Sequence, residues 1–344
     1  MNTAAVLYND DSEMLPHGSA QDRIAWEGAG LQARAVAASL RRAGFEPVEV
    51  ATGPCIVDLA ERLAKLRPDF VFNGCESFAG DSRMEAGVAS LLDLMRIPYT
   101  GNCPLTLAAA QDKALAKQLL EGCGLPVARW AVLRSADDPL PPDLAPPLFV
   151  KTRFEDASHG ISGRNVCLTT DAARRCAAEL IRAWRQDCLV EEFLAGREFN
   201  IGVLFDGEVL PLAEIDYQLA PGLPRIVTYE AKWVAGSADD LGTPVKCPAE
   251  NVASDLAARL RDLAGRAYRA LGCRDYARVD IRLNAAGEPC ILEVNPNPDI
   301  SPDAGLARAA ARGGIEYDQL IARIAQAALR RGRALGGAEA RGGA

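Results

Sequence analysis

Apolar positions along this chain fall into two rhythms: short solid blocks and repeats of three to four residues. Blocks at 4–9, 46–51 and 69–73 predict buried strands, and apolar repeats at 28–42, 56–66 and 84–95 predict amphipathic helices between and after them. A short strand at 97–100 follows. Strands alternating with helices predict a parallel sheet covered on both faces, at residues 1–107. The next segment, 108–195, opens with one helix over 107–121 and continues with strands at 128–133, 148–152, 165–168 and 188–193 around a helix at 171–185. The third, 196–330, begins with strands at 198–204 and 209–215 joined at Asp206-Gly207, a hairpin turn signal. An irregular stretch at 216–248, a long helix at 251–271, a second hairpin and helices from about 302 and over 317–330 complete it. Residues 331–344 are mostly glycine, alanine and arginine and read as a frayed, flexible tail.

Composition narrows the class. The net charge is −8 and no basic tract occurs, which argues against a nucleic-acid partner. No apolar run approaches the roughly 18 residues of a membrane span, and the first residues lack signal-peptide character, so a cytoplasmic protein is expected. The 10 cysteines are scattered without a C-x-x-C pair, and only 2 histidines occur, so buried thiols are favoured over zinc or disulfides. Of 38 basic residues only six are lysine: Lys65, Lys113, Lys117, Lys151, Lys232 and Lys246. In so arginine-rich a chain, a retained lysine points to a need for a compact ammonium, the kind that meets phosphate as a point charge.

The chemistry concentrates in the second hairpin. Arg278, Asp280 and Arg282 share one face of a strand, and Glu293 and Asn295 share a face of the returning strand. Paired, the strands bring two carboxylates and an amide oxygen beside guanidinium groups, a donor set suited to Mg²⁺ and a polyphosphate. The apolar residues between them (Val279, Ile281, Val294) seat the hairpin on a core rather than at a solvated edge. A competing signal is the G-x-G-x-x-A run Gly28-Ala29-Gly30-Leu31-Gln32-Ala33, with Glu49 about nineteen residues on. A dinucleotide turn must follow the first strand directly. Here the strand ends near Asn9, so the run reads as a glycine-bearing helix start.

Taken together, Arg278-x-Asp280, Glu293-x-Asn295, Lys113, Lys151, the 190–198 run, Tyr229-Glu230-Ala231-Lys232 and Ile97-Pro98-Tyr99-Thr100-Gly101 resemble the ATP-grasp superfamily, and within it the D-alanine–D-alanine ligases. The resemblance covers about 330 residues. It implies an N-terminal Rossmann-like α/β domain followed by a two-lobed α+β fold that clamps ATP. Lys113 and Lys151 then contact phosphates, Glu191 and the backbone of Phe193 and Leu194 meet adenine, and Glu198 holds the ribose hydroxyls. Asp280, Glu293 and Asn295 are implied ligands of two Mg²⁺ ions, for which Mn²⁺ can substitute. Lys232 is implied to lie in a loop that closes over the phosphates, and Arg278 to stabilise the tetrahedral intermediate. The activity implied is amide-bond formation between small amino-acid-like substrates through an acyl phosphate. A homodimer is implied by likeness alone.

The substrate side departs from that family. Asp299 stands where the ligases have a glycine, and Ala304 and Gly305 where they have a serine and leucine. Trp233 replaces a tyrosine, and Asn73-Gly74-Cys75-Glu76 stands where a histidine and glycine are frequent. Ser158 matches one serine of the family's Gly-Ser-Ser turn, while Ala157 replaces the other and His159 follows. Glu27, with Glu13 as alternative, is the nearest candidate for the glutamate that binds the first substrate's amine. Asp299 would repel a substrate carboxylate and attract a cationic group, or else simply cap the following helix. The expectation is a specialised ligase. A true D-alanine–D-alanine ligase and a non-catalytic nucleotide binder remain as alternatives.

Overall fold

A computed structural model describes residues 2–10 and 23–342, without the side chains of 23–27 and 335–342. Three sheets organise it. The first is parallel in the order β2-β1-β3, from β1 (Thr3–Tyr8), β2 (Glu46–Ala51) and β3 (Phe70–Asn73), with α1 (Arg23–Arg42), α2 (Ile56–Leu66) and α3 (Glu85–Leu94) in the connections. Alternation along β1 divides its side chains between two cores. Ala4 and Val6 pack with Val36, Ala37 and Leu40 of α1, while Ala5 and Leu7 pack with Leu59 and Leu63 of α2 and Val88 and Leu92 of α3. Both faces are therefore covered, as the block pattern predicts. The expected strand at 97–100 shrinks to a single bridge, Val71 with Tyr99. The Gly28–Ala33 run lies inside α1, so it forms no phosphate turn.

The expected single helix at 107–121 is two, α4 (Pro104–Gln111) and α5 (Lys113–Gly122). Asp112 breaks it. Its extended backbone and its carboxylate, which accepts from the N–H groups of Ala114 and Leu115, start a new helix. Arg153 grips the same carboxylate at 2.6 and 2.7 Å, docking the start of α5 onto the chain that leaves the second sheet. That sheet is antiparallel, in the order β4-β7-β5-β6. It comprises β4 (Trp130–Leu133), β5 (Leu148–Thr152), β6 (Val166–Cys167) and β7 (Cys188–Glu192), backed by α6 (Thr170–Trp184).

The third sheet runs β11-β10-β8-β12-β13, with β9 beside β8. It comprises β8 (Glu198–Leu204), β9 (Glu208–Val209), β10 (Ala213–Ile215), β11 (Val245–Lys246), β12 (Tyr276–Leu283) and β13 (Pro289–Asn295). The expected 209–215 strand is thus two short pieces. The stretch expected to be irregular carries two short helices, α7 (Tyr229–Trp233) and α8 (Ala238–Leu241). On the apolar face, α9 (Ser254–Ala270) lays Leu260, Leu263, Ala264, Ala267 and Tyr268 against Ile201, Val279 and Ile281. After β13 come α10 (Gly305–Arg312), three residues later than expected at 302, and α11 (Tyr317–Gly342).

The C-terminal end corrects two expectations. α11 returns to the first sheet, where Leu320, Ile321 and Ile324 join the core around Phe70 and Phe72. It also continues as helix to Gly342, past the expected end at 330. Arg331 anchors it, donating to both oxygens of buried Asp275 at 2.6 and 2.7 Å and to the Tyr99 carbonyl at 2.7 Å. Among the described residues no helix is long and apolar enough to cross a membrane.

Candidate active site

One cleft of about 1350 Å³ opens between the three sheets and is lined by every sequence-derived candidate whose side chain is described. Glu27 lies in α1 with an undescribed side chain, and Glu13 lies outside the described residues.

The hairpin forms as its period-two pattern predicts. β12 and β13 pair antiparallel, with Asp280 opposite Glu293 and Arg278 opposite Asn295. The register slips between Asp280 and Ile281, a bulge of the kind that re-aims side chains beside a site. Arg278 donates to both Asp280 oxygens at 2.8 Å. Asn200 of β8, which faces Asp280 across the sheet, donates to Oδ1 at 2.8 Å. Asn295 is oriented by accepting the Asn297 N–H at 2.8 Å. Burial pushes the Glu293 carboxyl up, but Lys113, Lys151, Arg278 and Lys232 outweigh it and hold the group below the ordinary carboxylate range. This all-oxygen set fits Mg²⁺. It is also incomplete alone, since no cluster of three His, Cys, Asp or Glu side chains able to hold a metal occurs among the described residues. Such a set suits a cation that keeps waters and arrives with substrate phosphates.

Across the cleft stand the lysines. Lys151 of β5 meets Glu191 Oε1 at 2.7 Å, and Lys117 of α5 meets Oε2 at 2.8 Å. Burial would raise the Glu191 carboxyl, yet the two ammonium groups hold it at about 2. Its side chain is therefore committed to lysines. Lys113, at the start of α5, donates to the Glu155 carbonyl. Burial lowers its ammonium, with Glu293 pulling the other way.

At the joint between the second and third sheets, Glu198 accepts from the Tyr217 hydroxyl at 2.7 Å and meets Arg282 at 3.1 Å. Burial raises the Glu198 carboxyl against the pull of Arg282 and Tyr217. The Arg282 guanidinium sits 5.2 Å from the Phe193 ring centroid and 5.4 Å from that of Tyr217, cation–π geometry that stiffens the joint.

Two segments, around 157–158 and 227–233, meet at the wall of the cleft. Ala157 and Ser158 both adopt left-handed backbone, with φ of 51° and 62°. The Ser158 hydroxyl donates to the Val227 carbonyl at 3.0 Å, and Trp233 Nε1 donates to the Ala157 carbonyl at 2.9 Å. Both polar groups, expected to meet substrate, bond these two segments to each other where they line the cleft. Lys232 lies beside the Trp233 ring, 5.6 Å from its centroid.

The wall of the first sheet is acidic. Asn297 donates to the Cys75 carbonyl and to Glu85, each at 2.9 Å, tying the loop after β3 to the turn after β13. That tie brings Glu76 and Asp299 to one side of the cleft. Burial, then Asp156 and Asp299, raise the Glu76 carboxyl to about 8 against Lys232 and Arg278. Asp299 accepts the Ser301 N–H at 2.8 Å, capping a turn rather than α10, whose N-cap is Ala304.

Sequence reasoning gave no individual role to Lys117, Asn200 or Tyr217, and placed Arg282 only among the guanidinium groups of the hairpin. Lys117 carried two signals, its rarity and its place four residues after Lys113 on one helix face. Asn200 and Tyr217 carried none, because only strand pairing brings them to the site, β8 with β12 for Asn200 and β10 with β8 for Tyr217.

The comparisons agree with this geometry. The family model described as D-ala D-ala ligase C-terminus matches residues 119–326. Uncharacterized protein y4sG of Sinorhizobium fredii is 33% identical over 309 residues, spanning 88% of each chain. A D-alanine–D-alanine ligase of Cereibacter sphaeroides is 34% identical over 288 residues, 83% of this chain and 86% of that one. The crystal structure of D-alanine–D-alanine ligase from Bacillus anthracis complexed with ATP shares the fold, with a TM-score of 0.74 at 23% identity over 97% of this chain and 99% of that one.

Proposed function

This chain belongs to the D-alanine–D-alanine ligase family of ATP-grasp enzymes, and we propose that it is an ATP-dependent carboxylate–amine ligase retargeted to a substrate pair other than two D-alanines. The observation that carries the ligase reading is the facing of Asp280, Glu293, Asn295 and Arg278 on one hairpin against Lys113 and Lys151 across a single cleft. Asp280, Glu293 and Asn295 would hold Mg²⁺, which supplies charge neutralisation at the transferred phosphoryl oxygens.

In this reading a substrate carboxylate oxygen attacks the γ-phosphorus of ATP, ADP leaves, and an acyl phosphate forms. An amine then attacks the acyl carbon, loses a proton, and expels phosphate bearing one former carboxylate oxygen. Lys113 and Lys151 bind phosphate oxygens, Glu198 accepts from the ribose, and the backbone at Phe193 and Leu194 faces the base. Arg278 is the rigid fork of donors beside the reacting carbonyl. The loop carrying Lys232 excludes water, which would otherwise hydrolyse the acyl phosphate.

The retargeting rests on the acidic wall. Glu76 and Asp299 line the cleft beside Arg278 and Lys232; an additional carboxylate on the substrate would be repelled by Asp299, and an additional cation would be favoured there and would draw out ionisation of the raised Glu76 carboxyl. We therefore expect an acceptor or donor with a second positive charge, such as a diamino acid or an amidine. The 34% identity to a D-alanine–D-alanine ligase favours the second reading, a true ligase of that name. ADP release with Mg²⁺-ATP against D- and L-amino acids, singly and paired, with product masses, separates them. D-Alanyl-D-alanine from D-alanine alone would establish the second reading. Turnover with a cationic partner and silence with D-alanine would establish the first.

A further inference from the structure

We infer that Lys117 is a positioning residue for the nucleotide: it occupies one oxygen of Glu191 so that Glu191 orients Lys151 without neutralising it. The inference rests on the reading of Lys151 as a phosphate contact.

The geometry is a buried row of three charges. Lys117 and Glu191 are each 2% exposed and Lys151 is 9% exposed. Each Glu191 oxygen meets one ammonium, at 2.7 and 2.8 Å. Apart from that ion contact, neither Lys117 Nζ nor Glu191 Oε2 has a hydrogen-bond partner among the described residues. A buried ammonium whose close ion contact is a carboxylate shared with a second lysine is costly to keep and is weak evidence of added stability. Its effect is on charge. With Lys117 present, the row carries one net positive charge, displayed at Lys151 on the cleft wall. Without it, Lys151 and Glu191 form a closed neutral pair, and the phosphates face an ammonium already satisfied. Burial lowers the Lys117 ammonium against the pull of Glu191, while Glu191, held at about 2, stays ionised throughout the working range. Lys113 lies one turn earlier on the same helix, and Asp112–Arg153 fixes that helix to the β5 exit. The spacing between the lysines is therefore held from both sides.

The double variant Lys117→Met with Glu191→Gln restores the single net charge, because a cation and an anion leave together. The test measures the Kd of Mg²⁺-ADP by fluorescence of Trp184 and Trp233, which line the cleft, with thermal melts of each ligand-free variant. Lys117→Met is expected to weaken binding about tenfold with kcat changed less than threefold. The double variant is expected to bind within about threefold of the native protein. A folded Lys117→Met with native affinity overturns the inference, as does a double variant no tighter than Lys117→Met. Should Lys117→Met fail to fold, a folded double variant more than tenfold weaker than native also overturns it. Native protein that does not bind Mg²⁺-ADP at all overturns the nucleotide reading itself, and this inference with it.

Discussion

Gly196→Ala places a methyl group where the second and third sheets meet. A Cβ there would lie 2.5 Å from the Leu283 carbonyl oxygen and 2.7 Å from Leu283 Cβ. Both neighbours belong to backbone or to an atom fixed to it, so no side-chain rotation relieves the clash. Relief needs the two strands to part, which loosens Gly196 N–H to the Leu283 carbonyl at 3.0 Å and Leu283 N–H to the Arg197 carbonyl at 2.9 Å. Overpacking of this kind costs roughly 1–3 kcal/mol and each loosened hydrogen bond about 1 kcal/mol, so about 3–5 kcal/mol in all. The strain lies between Leu194 and Glu198, so part of it falls on the nucleotide site. About 1 kcal/mol appearing there would raise the Kd for Mg²⁺-ADP roughly fivefold. Chemical denaturation and nucleotide titration measure the two parts. Gly87→Ala, with nothing within 4 Å of the added carbon inside α3, is the control and should be neutral or stabilising by up to about 1 kcal/mol. A Gly196→Ala protein within 0.5 kcal/mol of native, on the order of experimental scatter, and binding ADP as well, would refute the packing argument.

Tyr217→Phe removes the 2.7 Å hydrogen bond to buried Glu198 while keeping the ring over Arg282. A bond to a charged group is worth about 1.5–3 kcal/mol, so steady-state kinetics should show the KM for ATP rising about tenfold with kcat little changed. Glu76→Gln tests the acidic wall through pH. The folded-state carboxyl is raised to about 8 from 4.5, so the folded protein holds the extra proton between those values, and native stability falls as pH rises through that window. The glutamine variant lacks this decline, so denaturant midpoints should coincide below pH 4.5 and favour the variant increasingly up to about pH 8. Parallel curves would place Glu76 in ordinary solvent.

Local rhythm made much of this molecule readable. The 278–295 hairpin follows from alternate polar and apolar residues, because a strand seated on a core must show one face to it. Asp112 was hidden, since the apolar repeat runs unbroken from 107 to 121 and a mid-helix aspartate reads as surface until Arg153 is seen holding it. The last fourteen residues looked like a frayed end because glycine and arginine there signal nothing by themselves. The partner that fixes Arg331 is Asp275, 56 residues away. The polar groups of Ser158 and Trp233 were assigned to substrate by likeness, whereas both are spent on carbonyls of the facing segment.

The central claim is an acyl phosphate formed at the site of Asp280, Glu293 and Asn295. Substrate labelled with ¹⁸O in its carboxylate, turned over with Mg²⁺-ATP, tests it most directly through the mass of the released phosphate. One ¹⁸O per phosphate is expected, with loss of both turnover and labelled phosphate in Glu293→Ala. Unlabelled phosphate from a productive reaction, or undiminished turnover in Glu293→Ala, would contradict it.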